Sequence, residues 1–171
     1  MSSLDFLSVQ DPAIHRIVPA AARIERVCTG FGFTEGPIWT RDGCLLFSDI
    51  PNNTIIRWIP TGEVDVYRRP SGYDGSELPQ GTLSGSNGLT LDSMGRVTIC
   101  EHGNRRVTRL ERDGSLTVLA DRFEGKRLNS PNDLLFHSKG DLYFTDPPSG
   151  LPQQDDDHRK ELKFNGVFRL T

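Results

Sequence analysis

Three glycines, Gly43, Gly95 and Gly140, each mark the same pattern, and that repetition limits the fold more than any other feature of the chain. Two residues after each comes Leu45, Val97 or Leu142, and two further on Phe47, Ile99 or Phe144. An acid follows six residues after each glycine: Asp49, Glu101 and Asp146. Eight residues before each stands Glu35, Asn87 or Asn132, followed by Gly36, Gly88 or Asp133. Units that recur at roughly 40–50 residues and are built on short alternating strands predict blades of a β-propeller. Equivalent positions in successive blades lie at similar radius and height about one axis. Glu35, Asn87 and Asn132 are therefore expected to converge there as one carboxylate and two amide oxygens, a donor set suited to a hard cation.

The pattern divides the chain into a lead-in over residues 1–22 and a partial propeller over 23–171. In the lead-in, Asp11-Pro12 starts a short helix that reaches Ile17 before Pro19 stops it. Arg23–Thr29 alternates apolar and charged residues and reads as a strand. Blade one spans 36–68, with strands at Pro37–Thr40, Cys44–Asp49, Thr54–Ile59 and Glu63–Arg68. Blade two spans 88–121, with strands at Leu89–Leu91, Val97–Glu101, Arg106–Glu111 and Leu116–Ala120. Arg57 and Arg109 both fall fourteen residues after the register glycine, and Gly62 and Gly114 nineteen after it, so the two blades align along their whole length. Between them, 69–86 is a Gly/Ser/Pro-rich loop of the kind that covers sites on rigid scaffolds. Blade three spans 133–171, with strands at Leu134–Phe136, Asp141–Asp146 and Gly166–Thr171 and a polar insertion at Pro147–Lys160. Its fourth strand is lacking, and a propeller needs at least about four blades to close. The chain is thus expected to be an incomplete propeller of nearly three four-stranded blades.

Composition narrows the partners. Gly and Pro number 17 and 11, which favours many short strands over long helices. A net charge of −3 gives no reason to expect nucleic acid or an anionic membrane as partner. No apolar run approaches a membrane span, and Met1–Gln10 lacks the pattern of a signal peptide. Three unclustered cysteines, Cys28, Cys44 and Cys100, argue against a disulfide framework and a zinc site, and a cytoplasmic location fits best.

Several blocks are familiar. Phe33-Thr34-Glu35-Gly36-Pro37-Ile38-Trp39 resembles the opening motif of the SMP-30/gluconolactonase/LRE-like family. Cys100-Glu101-His102-Gly103-Asn104-Arg105-Arg106-Val107 looks like the bacterial gluconolactonase version of blade two. Arg127-Leu128-Asn129-Ser130-Pro131-Asn132-Asp133, followed by Phe144-Thr145-Asp146-Pro147-Pro148, is similar to the same enzymes. The resemblance runs from about residue 20 to the C-terminus and matches the N-terminal half of the family. It implies a six-bladed propeller lactonase with a divalent metal in its central channel, most often Ca2+, with Zn2+, Mg2+ or Mn2+ as alternatives. It implies Glu35 and Asn132 as metal ligands, and Asn87 in contact with metal or substrate. A further Asp ligand, the expected general base, would follow residue 171 together with the missing C-terminal half of the propeller.

Asn87 and Asn132 are accordingly the candidate catalytic residues, with Asn87 and Arg105 facing a small-molecule lactone such as gluconolactone. Each also has a plainer reading. Glu35 opens a Gly-Pro turn, and Ser86-Asn87-Gly88 and Pro131-Asn132-Asp133 have turn chemistry. Register favours the site for all three. His102, a lone histidine beside glycine, reads as a loop residue rather than a base, and Trp39 and Trp58 as packing aromatics. The alternatives to a sugar lactonase are a non-enzymatic propeller that binds a partner and a related propeller esterase or phosphotriesterase.

Overall fold

The structure is a computed structural model that describes residues 9–75 and 83–171. A short 3-10 helix at Pro12–Arg16 is capped by the Asp11 side chain, which accepts from Ala13 N. Four strands then form the first sheet: β1 (Thr34–Trp39), β2 (Leu45–Asp49), β3 (Thr54–Trp58) and β4 (Val64–Arg68). The second sheet has the same order, with β5 (Ser86–Leu91), β6 (Val97–Glu101), β7 (Arg106–Leu110) and β8 (Leu116–Ala120). A small hairpin, β9 (Arg122–Phe123) and β10 (Lys126–Arg127), leads into the third sheet of β11 (Leu134–Phe136), β12 (Leu142–Asp146) and β13 (Gly166–Leu170). All three sheets are antiparallel meanders whose neighbours in sequence are neighbours in space.

The register glycines sit in the turn between each first and second strand. At Gly43 the backbone is left-handed, with φ 79°, a conformation that costs a side-chain-bearing residue about 1–2 kcal/mol. The rungs match from sheet to sheet. Leu46 faces Arg57, which faces Asp65; in the second sheet Thr98 faces Arg109, which faces Thr117. The two arginines occupy one position with different neighbours. Arg57 pairs directly with Asp65, whereas Arg109 pairs with Glu111, which also holds Arg96 and Thr117.

The second sheet is buried on both faces because its strands alternate apolar residues to either side. Leu89, Val97 and Ile99 pack with Leu46 and Ile55 of the first sheet. Cys100 and Val107 pack with Leu134, Leu142 and Phe144 of the third, joined by Leu128 and Leu162. The sheets also meet through their first strands, β1 against β5 and β5 against β11. That contact brings the three candidate ligand positions onto adjoining segments, Glu35 and Asn87 on β1 and β5 and Asn132 just before β11.

Three expectations need correction. Arg23–Thr29 joins no sheet among the described residues, and Ile24 and Val27 stand 54% and 43% exposed. Alternation makes a strand only where a neighbouring edge accepts its hydrogen bonds. Trp39 is 56% exposed and does not pack between sheets. The 69–86 segment is a loop only up to β5, which begins at Ser86, and 76–82 lie outside the described residues.

Candidate functional site

Glu35 borders a break of strand register and Asn87 lies inside one. Glu35 faces Ser48 while Ile38 faces Leu46, so three steps along β1 oppose two along β2. Ser86 faces Glu101 while Leu89 faces Ile99, a slip of the same size one position earlier in the repeat. A bulge of this kind re-aims the side chains within it. In the third sheet Asn132 precedes β11 and is tied to β12, with Asn132 N donating to Thr145 O at 2.9 Å and Thr145 N to Asp133 O at 2.9 Å.

After Glu35 and Asn87, the next residue is where one sheet presses on the following one. Gly88 N donates to Asn132 O at 2.7 Å, and a Cβ on Gly88 would stand 2.6 Å from that oxygen. A Cβ on Gly36 would stand 2.4 Å from Asn87 O. The Asn87 carbonyl is also held from β2, by the Ser48 hydroxyl donating at 2.7 Å. Glu35, Asn87 and Asn132 therefore stand on three successive, mutually pinned segments. The glycines in the repeat are explained by this close approach of backbones.

The recurrent acids serve as latches for the same segments. Asp49 Oδ1 accepts from the backbone N–H of Gly32 and Phe33, at 3.0 and 3.3 Å. Asp146 Oδ2 accepts from Asn129 N at 2.7 Å. Gly32 and Asn129 stand at the same offset before Glu35 and before Asn132. Glu101, longer by one methylene, turns instead to Thr108 Oγ1 at 2.6 Å and Arg106 Nε at 2.7 Å.

Burial raises the Asp146 carboxyl to about 6, against the opposing pull of the Asn129 and Ser130 N–H groups, Arg105 and Lys160. A carboxyl that titrates above its unfolded value favours folding only while protonated. Its contribution is full below about 4 and is lost as pH rises through about 6. Asp146→Asn removes this dependence, because the amide oxygen still accepts from Asn129. Across pH 4 to 8 the wild type is expected to lose about 2–3 kcal/mol relative to the variant. Paired denaturant titrations at the two pH values measure it, and parallel pH profiles would refute it.

The candidate ligands differ in what else holds them. Neither the Glu35 carboxylate nor the Asn132 amide makes a hydrogen bond or ion pair among the described residues, and both side chains are half-buried. Asn87 is buried, and its Nδ2 lies 3.0 Å from Nε2 of His102. Its Oδ1 has no partner among the described residues. Unpartnered oxygens, one of them charged, fit a hard divalent cation. Among the described residues no three His, Cys, Asp or Glu side chains gather as a metal-binding group, so a cation here would rely on amide oxygens. Glu35 also borders a groove of about 780 Å³ on the outer face of the first sheet, with Phe31, Phe33, Pro37 and Phe47.

Arg105 is placed deeper than a substrate contact requires. It is 4% exposed with φ 59°, its Nε donates to Leu128 O and Asn129 O, and its Nη1 to Arg159 O. It ties the second sheet to the third and to the insertion, leaving only Nη2 without a protein partner. His102 does lie in the turn between β6 and β7, but it is 1% exposed, and burial lowers its imidazole to about 4. The sequence carries no signal for this, because His-Gly is common in loops.

Three antiparallel sheets joined through their first strands, with a carboxylate and two amides on adjoining segments, define an all-β class with a polar site where the sheets meet. The chain belongs to the SMP-30/gluconolactonase/LRE-like family, whose profile matches residues 33–171. It is 36% identical to a gluconolactonase of Zymomonas mobilis subsp. mobilis over 99% of this chain and 49% of that protein. Among solved structures, a gluconolactonase from Xanthomonas campestris superposes with a TM-score of 0.72 at 35% identity, over 85% of this chain and 46% of that one. A putative gluconolactonase superposes with a TM-score of 0.78 at 33% identity, over 94% and 53%. The chain spans about half the length of these relatives. No helix among the described residues is long and apolar enough to cross a membrane.

Proposed function

We propose that this chain contributes half of a six-bladed propeller lactonase and that Glu35, Asn87 and Asn132 are its share of a central divalent-cation site. The observation that carries this reading is the set of unpartnered oxygens on three adjoining segments, two of them at a bulge of their first strand. The relatives, matched over about half their length, supply the reaction class: hydrolysis of a sugar lactone, with gluconolactone as first candidate.

Glu35 brings the negative charge, and Asn132 and Asn87 bring neutral oxygens, so the set holds a cation without cancelling its charge. Ca2+ suits such all-oxygen donors best, with Mg2+ and Mn2+ next and Zn2+ last. A bound cation would polarise the lactone carbonyl and acidify a water. Three side chains leave a shell of 6–8 positions partly open for substrate and water. Asn87 would serve either as a ligand to the cation or as a partner for a sugar hydroxyl. The base that takes the water's proton is assigned to an Asp outside residues 1–171, from the remaining half of the ring.

The test is a calorimetric Ca2+ titration of the purified protein with its ring complete, followed by gluconolactone hydrolysis read as proton release. Stoichiometric binding, with a rate that falls when Ca2+ is chelated, is the expected result. Hydrolysis unaffected by chelation, or no binding at all, would contradict the proposal.

A further inference from the structure

His102 has no part in the reading above, yet it is among the most enclosed polar side chains in the molecule. Its backbone N–H donates to Gly85 O at 3.2 Å, and that of Gly103 to Ser84 O at 3.0 Å. On the other side Gly150 leaves no room: a Cβ there would stand 2.9 Å from His102 Cβ and 2.7 Å from Ser130 Cβ. Gly150 is itself anchored, its N–H donating to Ser130 Oγ at 2.8 Å while that hydroxyl donates to Pro147 O at 2.6 Å. The imidazole is clamped between the segment leading into β5 and the insertion after β12, and its ring is given one orientation.

The two ring nitrogens then have fixed roles. Nδ1 lies 3.0 Å from Leu83 O. A carbonyl oxygen only accepts, so Nδ1 carries the proton. In a neutral ring Nε2 is then bare and only accepts. The atom facing it at 3.0 Å must be a donor, and in Asn87 that is the Nδ2 amide. The Asn87 oxygen is thereby turned away from His102. The assignment of nitrogen and oxygen in the amide follows from the Leu83 carbonyl together with a neutral, enclosed ring.

We infer that His102 is a positioning residue that locks the Asn87 amide with its oxygen presented to the cation site. This rests on the cation reading proposed above. An unanchored asparagine can turn either its oxygen or its NH2 toward a cation, and only the oxygen binds. Partners that orient a ligand in this way are typically worth 10–100-fold in metal affinity.

The experiment has two readouts. Long-range proton–nitrogen NMR of the imidazole is expected to report the Nδ1–H tautomer. The Nε2–H tautomer would require Asn87 to offer its oxygen to His102 and would overturn the inference, whether or not metal binds. The second readout is Ca2+ affinity by calorimetry. His102→Phe, which fills the space without an acceptor, is expected to weaken binding about 10–100-fold. His102→Gln, which can donate to Leu83 and accept from Asn87, is expected to bind near the wild-type level. In an Asn87→Asp background both carboxylate oxygens can serve as ligand and orientation ceases to matter, so adding His102→Phe there is expected to leave affinity unchanged. A loss of packing would weaken binding in that background as well. Wild-type affinity in His102→Phe, or an equal loss on adding it to Asn87→Asp while His102→Gln is folded, would overturn the inference. Absence of Ca2+ binding in the wild type would instead overturn the cation reading, and the tautomer would still report how Asn87 is held.

Discussion

Glu35→Gln is expected to weaken Ca2+ binding by 100-fold or more, about 3 kcal/mol, while leaving the fold intact. The substitution keeps the length of the side chain and one oxygen, and removes the single negative charge among the three candidate ligands. Among the candidate ligands of this chain no other charge balances a divalent cation, since Asn87 and Asn132 are neutral. The fold is spared because the Glu35 carboxylate has no hydrogen-bond or ion-pair partner among the described residues. Exposed or half-buried groups without partners usually change stability by no more than about 0.5 kcal/mol when substituted. Calorimetric Ca2+ titration and thermal unfolding of one preparation separate the two effects. Unchanged affinity would remove Glu35 from the site, and a collapse in stability would make it a structural residue instead.

Gly36→Ala is expected to act in the opposite way, through the fold. Gly36 has φ 59°, and its added Cβ would stand 2.4 Å from Asn87 O and 2.8 Å from Leu89 N. Both obstacles are backbone, and the Asn87 carbonyl is further held by Ser48. Left-handed strain contributes about 1–2 kcal/mol, and the overlap adds to it by forcing β1 and β5 apart. A total above about 3 kcal/mol corresponds to a fall in Tm of roughly 10 °C for a domain of this size. Gly43→Ala is the matched control, because Gly43 has φ 79° and open space around its missing Cβ. It is expected to lose only the strain. Equal losses in the two variants would mean that the β1–β5 approach is not what requires Gly36.

Strand positions were legible because the repeat pairs an apolar alternation with a glycine turn, and each is a local property. The second strands in particular follow from Leu45-Phe47, Val97-Ile99 and Leu142-Phe144, whose side chains alternate toward a core. Arg23–Thr29 has a similar alternation and forms no ladder, because pairing depends on an edge that local sequence does not encode. The β9–β10 hairpin was missed for the opposite reason. It turns on Glu124-Gly125, both at positive φ, in a segment with too few apolar residues to announce strands. Among the candidate site residues, the placement of Glu35, Asn87 and Asn132 on adjoining segments followed from offsets alone. The burial of Arg105 and His102 did not, because their partners, Leu128, Asn129, Arg159 and Leu83, are backbone carbonyls distant in sequence. Any residue type supplies a carbonyl, so no pattern of side chains reveals such contacts.

The central claim is that three oxygens from three adjoining sheets hold one cation. Anomalous diffraction from crystals soaked in Mn2+ tests it most directly, since the metal reports its own position. The account predicts one strong peak within coordination distance of a Glu35 carboxylate oxygen and of the Asn132 and Asn87 amide oxygens. A peak elsewhere, or one that touches Glu35 with the Asn87 NH2 turned toward it, would contradict it.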